Sequence, residues 1–217
     1  MRKNSAIINL TSVSFARRNK MEKMPTKDRI LESALTLFSE KGYDGVGVDL
    51  IAENAGIKGP SLYKHFKGKE DILDALIEKA ESYYQQNFGT AQNPGKTPAS
   101  MDELVELSLK RIEFTLHDPM IRKVRRMLTM EQFRSHRIGL LTTKYNIDIV
   151  QNIYREIFQQ MIENGTMRAG NPEMLAMEFA APISLLIQLY AREPEREREI
   201  MERIEEFLRY FADEHKM

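Results

Sequence analysis

The sequence predicts an all-α protein, an N-terminal three-helix helix-turn-helix domain followed by a larger helical bundle. Apolar residues recur at three- and four-residue spacing in nearly every segment after Met24. Glycine, proline and asparagine cluster where those patterns stop. No run alternates with the two-residue period of a half-buried strand.

In order, Thr26 is placed to cap a first helix whose apolar residues are Ile30, Leu31, Ala34, Leu35 and Phe38. Gly42 suits the residue just past its end. Val48, Ile51, Ala52 and Ala55 mark a second helix stopped by Gly56. The stretch GIKGPSLYKHFKGKEDIL, residues 56–73, then holds a short third helix with Pro60 at or near its first turn. A fourth starts near Gly68, with Glu70 and Asp71 at its positive end. GTAQNPGKTPAS, residues 89–100, reads as a loop. Helices are expected at about 101–117, 119–135, 137–164, 172–192 and 194–213. The resulting division is an extension over 1–24, a helix-turn-helix domain over 25–70 and a helical domain over 71–217.

A chain of 217 residues is long enough to bury a core without staples, and it contains no cysteine. Disulfides, thiolate metal sites and cysteine nucleophiles are thereby excluded, and a reducing, cytoplasmic setting fits. Formal net charge is zero, so a nucleic-acid surface must be a local patch. The first two dozen residues lack sustained periodicity. They read as a disordered tail or as an over-early start, with Met21 or Met24 as the alternative first residue. A basic arm through Arg17, Arg18 and Lys20 is a further reading. Asn9-Leu10-Thr11 is a sequon short enough to arise by chance. FAAPISLLIQLYA, residues 179–191, is uncharged but shorter than the roughly 20 residues a bilayer requires, so a buried helix is expected and no membrane partner.

The third helix carries the chemistry. At about 100° per residue, Leu62 and Phe66 share one face and Lys64 lies opposite, with Tyr63 and His65 on its flanks. Lys67 and Lys69 follow. An apolar anchor beneath a small-residue tip with polar flanks and a positive field suits insertion into a DNA major groove. Solvated lysines on an ordinary helical hairpin give the plainer alternative.

Residues 26–73, TKDRILESALTLFSEKGYDGVGVDLIAENAGIKGPSLYKHFKGKEDIL, resemble the DNA-binding domain of the TetR/AcrR family of transcriptional regulators. The resemblance implies a homodimer that binds a palindromic operator in double-stranded DNA and releases it when a small-molecule effector enters the larger domain. It places Lys58, Gly59, Pro60 and Ser61 where family members meet bases, and Tyr63, His65 and Lys69 where they hold phosphates. Two departures stand out. Val46-Gly47-Val48 replaces the hydroxyl residues that often open the second helix. Asp49 stands where some members carry a basic residue; it can accept from a cytosine amino group or favour the helix dipole. Gly59 has no side chain to read with, leaving Lys58, Pro60, Ser61 and Lys64 for direct readout.

The resemblance also implies that the last two long helices pair with their symmetry mates. Leu185, Leu189, Ile200, Ile204, Phe207 and Phe211 are the expected interface, against the alternative that both helices pack wholly within one subunit. Phe114, Met127, Met130, Phe133, Tyr145, Ile149 and Phe158 are candidates to line a ligand cavity, although each reads more readily as plain core. Arg122, Lys123, Arg125 and Arg126 read as a solvated charge run, with an anion site the weaker reading. No cofactor, metal or catalytic residue is expected. His117 with Asp118, and His136 with Glu131, lack nucleophile–base–orienter logic, which makes an enzyme on a helical bundle a remote alternative; a non-DNA helical interaction module is the other.

Overall fold

The computed structural model describes residues 24–90 and 92–217, which are helical with no β-strand among them. The expectations for the N-terminal arm, the alternative starts and the sequon lie outside the described residues. The helices are α1 (Thr26–Lys41), α2 (Val48–Asn54), α3 (Gly59–Leu62), α4 (Lys69–Phe88), α5 (Met101–His117), α6 (Pro119–Glu131), α7 (His136–Thr143), α8 (Ile149–Glu163), α9 (Pro172–Arg192) and α10 (Glu197–His215). The chain divides into two compact units on either side of Glu78 and Lys79, a division that falls within α4.

In the first unit the predicted stripe of α1 is buried, and Ser33, Thr36, Leu37 and Ser39 are buried with it. The sequence casts Thr26 as the N-cap. Instead Pro25 occupies that place and Thr26 begins the helix, its hydroxyl accepting from Arg29. Between α2 and α3 the Gly56 amide donates to Glu53 O and the Ile57 amide to Ala52 O, both at 3.0 Å. This closes a Schellman turn that needs the positive φ of 68° found at Gly56. Leu62 and Phe66 are buried, as the helical wheel predicts.

The second unit is built around α5, α8, α9 and α10. Phe158, Phe179 and Phe211 form its aromatic centre, with ring centroids 4.9–5.5 Å apart. Local chemistry fixes the ends of these helices. Ser100 caps α5 by accepting from the Glu103 amide. Asp118 caps α6 through the Met120 and Ile121 amides and also accepts from Tyr83 at 2.7 Å.

The segment predicted as one helix over 137–164 is helical throughout, but a π-turn over Lys144–Asp148 separates α7 from α8. Thr142 and Thr143 just before it donate to the carbonyls of Ile138 and Gly139, a bonding pattern that loosens helical backbone. The helix predicted over 119–135 ends four residues early, at Glu131. Its terminus lies against α7 so closely that a Cβ on Gly139 would stand 2.8 Å from Gln132 O.

Two expectations about α9 and α10 change. Ile200, Ile204 and Phe211, expected at a subunit interface, are 0%, 0% and 1% exposed and belong to the protomer's own core. The apolar stripe of α10 is consumed by α5 and α9 packing on it. Phe207 and Leu189 are half-buried, and Leu185 is 65% exposed. Residues 179–191 alone are too short for a bilayer. The 21-residue α9 contains an 18-residue window of mean hydropathy 1.5, which meets the length and composition of a spanning helix. Its buried face, including Leu175, Phe179 and Ile183, serves the core.

Replacing Gly56 by alanine is expected to lower the unfolding free energy by about 1–2 kcal/mol, the cost of a Cβ in the left-handed region. Denaturant unfolding measures this, and an unchanged midpoint would contradict the turn described.

Candidate nucleic-acid interface and cavity

The surface chemistry of α3 follows from its anchoring. With Leu62 and Phe66 turned inward, Lys58, Pro60, Lys64 and His65 are exposed, and Tyr63 is 57% exposed. Gly59 and Ser61 are half-buried. The four-residue helix extends by one further turn, as the His65 and Phe66 amides both donate to Leu62 O. Phenol, imidazole and ammonium groups thus stand on one protruding turn, able to donate to phosphate oxygens.

Lys69 differs from the others. Its ammonium donates to Tyr43 O at 3.0 Å and lies 4.3 Å from the Tyr43 ring centroid. It ties the start of α4 to the loop after α1, leaving only its remaining N–H groups for another acceptor. Tyr43 in turn packs edge-on against Phe38, their centroids 5.1 Å apart. The Lys67 amide donates to Asp71, which closes the first turn of α4.

Gly47 is the N-cap of α2 and no side chain caps that helix, as the absence of a hydroxyl residue predicts. The Asp49 carboxylate oxygen lies 3.5 Å from where a Cβ on Gly59 would be, so the acid sits beside the start of α3.

A cavity of about 50 Å³ lies within the second unit. Tyr84 and Phe88 of α4, Arg111 and Ile112 of α5, Arg125 of α6, Asn146 of the π-turn, Tyr154 of α8 and Ile183 of α9 contribute to its walls. None of the seven residues expected from sequence lines it. Phe158 and Met127 are fully buried core, whereas Met130 and Phe133 are exposed, the latter at 94%. Phe114 packs against Tyr83 and Phe88 behind the wall. Ile149 packs on the main core, and the Tyr145 hydroxyl donates to Glu81.

The supposedly solvated run Arg122–Arg126 is split. Arg122 and Arg126 are exposed, whereas Arg125 is half-buried, lines the cavity and donates to Asn146 Oδ1 at 2.8 Å. Arg125 lies three residues before the buried Leu128 and four after the buried Ile121. That i, i+3, i+4 pattern was the available signal for its inward face.

Burial pushes the Tyr84 phenol well above its ordinary pKa, a rise that Arg125 and Arg111 oppose. Burial lowers the Arg125 pKa. Tyr145 is raised chiefly by burial and further by Glu81, and Tyr83 chiefly by its hydrogen bond to Asp118. The enzyme candidates do not assemble. His117 pairs with Glu197 at the surface, and Asp118 is occupied with the α6 cap and Tyr83. His136 is exposed while Glu131 is buried.

Comparison with known proteins agrees with this geometry. A profile described as "Bacterial regulatory proteins, tetR family" matches residues 30–76. IcaR of Staphylococcus aureus, the negative transcriptional regulator of the biofilm operon icaADBC, is 35% identical over 132 residues, spanning 60% of this chain and 67% of that protein. YttP of Bacillus subtilis, described as a probable HTH-type transcriptional regulator, is 26% identical over 183 residues, 82% of this chain and 83% of that one. Among solved structures, SmeT, the repressor of the Stenotrophomonas maltophilia multidrug efflux pump SmeDEF, shares the fold. Its TM-score is 0.66 at 19% identity, covering 89% of this chain and 92% of SmeT.

The raised phenols predict an alkaline instability. In the unfolded chain a tyrosine ionises near pH 10, while folded Tyr84 and Tyr145 hold their protons to higher pH. The folded state then binds more protons, so stability is full below about pH 10 and falls as pH rises above it. Denaturation at graded alkaline pH should show a shallower fall for Tyr84→Phe than for the wild-type chain.

Proposed function

The chain belongs to the TetR family of DNA-binding transcriptional regulators and is not an enzyme; from that premise we propose that it is a cytoplasmic repressor. On this reading it binds a palindromic operator as a homodimer and lets go when a small molecule occupies the cavity. The observation that carries the DNA reading is the α3 turn itself, whose apolar residues are buried while Lys58, Tyr63, Lys64 and His65 are exposed around small residues. Lys58 to Ser61 face bases on this reading, and Tyr63, His65 and the free N–H groups of Lys69 hold phosphate. IcaR is a negative regulator and SmeT a repressor, which supports repression here.

Dimerisation is supported by α9. Met174, Met177 and Leu185 are 58%, 47% and 65% exposed on a helix whose opposite face is core. Together with Leu189 and Phe207 they are the surface a second copy would cover, in place of the buried α10 residues. Dimerisation would set two α3 turns about one DNA turn apart, roughly 34–36 Å.

Ligand release is supported by the continuity of α4, which carries Lys69 at one end and the cavity residues Tyr84 and Phe88 at the other. A coupling of about 1–3 kcal/mol between cavity and operator changes DNA affinity roughly 5- to 150-fold. SmeT has been solved in complex with triclosan, an instance of a structural neighbour that takes a small molecule.

Random-site selection with the full chain should recover a two-fold symmetric duplex site. Its affinity should fall by about 0.9 log units per log salt for each phosphate neutralised. Absence of any specific duplex binding at low salt would overturn the proposal. Tyr63→Ala is expected to weaken operator binding by about 1 kcal/mol with the melting temperature unchanged. Lys69→Ala should lower both, because it also frees the Tyr43 loop. Leu185→Glu should give a monomer in sedimentation and lose operator affinity; a dimer that persists would place the interface elsewhere.

A further inference from the structure

We propose that the cavity of the second unit is an anion site, and that its ligand is a small organic acid with an apolar body ending in a carboxylate. The inference rests on the reading of that cavity as the effector site. It begins with Arg111, which is 6% exposed. Its Nη2 donates to Phe88 O at 2.9 Å and to Pro94 O at 2.7 Å, while its buried Nη1 has no hydrogen-bond partner. The guanidinium carbon lies 5.5 Å from the Phe88 ring centroid and 5.7 Å from that of Tyr154. Two carbonyls and two rings hold the group in place, and none of them carries a compensating charge.

Arg125 contributes the second cation, and its hydrogen-bond partner is the neutral Asn146. No aspartate or glutamate lines the cavity. Two acids of the adjoining elements, Glu81 and Asp118, are engaged elsewhere. Glu81 binds Lys144 and Tyr145, and Asp118 caps α6 and accepts from Tyr83. A buried guanidinium normally sits against a carboxylate, because removing it from water without a counter-charge is costly. A buried guanidinium and a half-buried one on the same cavity, with one donor left over, are the arrangement a bound anion would complete.

The remaining walls decide the kind of anion. Ile112, Val150, Phe179, Ile183 and Ile187 are apolar and outnumber the hydroxyl and amide side chains of Thr115, Ser184 and Gln188 on the same walls, a poor match for a ligand covered in oxygens. A planar carboxylate matches the guanidinium fork, and an apolar body matches these walls. Tyr84, kept protonated by burial, is an additional neutral donor on the same cavity. The space of about 50 Å³ suits a short acid better than a long one.

Isothermal titration of the full chain with propionate and butyrate, against propionamide, butyramide and inorganic phosphate, tests the proposal. At least one acid is expected to bind about tenfold or more tightly than its amide, the effect of a charge-assisted hydrogen bond. Phosphate should bind more weakly than that acid. Arg125→Gln and Arg111→Gln should erase the preference for acid over amide, while Arg125→Lys should retain part of it. Arg111 also holds the loop after α4, so Arg125 variants that melt like the wild-type chain are the decisive ones.

The wild-type comparison of acid with amide requires no variant at all. Equal binding of acid and amide, no binding of either acid, or an undiminished preference in Arg125→Gln would overturn the anion site. Phosphate binding as tight as the better acid would overturn the apolar-body assignment. Operator affinity measured in parallel separates this from the regulatory proposal. Acid binding that leaves the operator complex intact would sink ligand release and keep the site. Specific operator binding with no acid binding would sink only the site.

Discussion

A helix of four residues has no stability of its own. Nucleating one helical turn fixes several dihedrals for a single hydrogen bond, so α3 exists only because tertiary contacts hold it. Those contacts are few and nameable. Leu62 and Phe66 are buried beneath the turn, the Gly56 Schellman motif sets its angle of entry, and Lys69 ties the following helix to Tyr43. Each exposed donor on α3 takes its position from these anchors. The exposed residues of α3 can therefore change freely, provided the buried pair and the glycine turn stay.

The same constraint explains why the first unit was legible in the sequence and the second less so. Leu62, Phe66, Gly56 and the stripe of α1 obey local rules, helical period and left-handed backbone, which operate within a few residues. Lys69 was legible only as a cation. Its hydrogen bond to Tyr43 spans 26 residues and leaves no periodic trace. In the second unit, helix ends followed from Ser100, Pro119, Asn171 and Pro172, whereas the π-turn at 144–148 did not. An α-helix and a helix with one widened turn share almost the same apolar pattern.

The cavity was the least legible feature, for a physical reason. Core residues and wall residues are both apolar and both follow helical spacing, so Phe158 and Ile183 look alike until the packing is known. The helpful signal lay in the polar residues. Arg125 falls on the buried side of α6, between Ile121 and Leu128, where a solvated arginine does not belong. Arg111 lies beside the buried Ile112 and three residues after the buried Ser108. A charge on the apolar face of an amphipathic helix is more informative about a site than any number of phenylalanines.

The π-turn and the end of α4 hold these charges within the second unit. Asn146 of the π-turn holds Arg125, while Lys144 and Tyr145 of the same turn hold Glu81 of α4. The Phe88 carbonyl at the end of α4 holds Arg111. Both cavity arginines are thus coupled to α4, one through a backbone carbonyl and one through the π-turn. An anion that drew the two guanidiniums together would pull on hydrogen bonds ending at Glu81 and Phe88, two points on a helix that begins at Lys69. Because packed helices shift between discrete arrangements rather than bend continuously, such a pull is best absorbed as a shift of the part of α4 that belongs to the second unit.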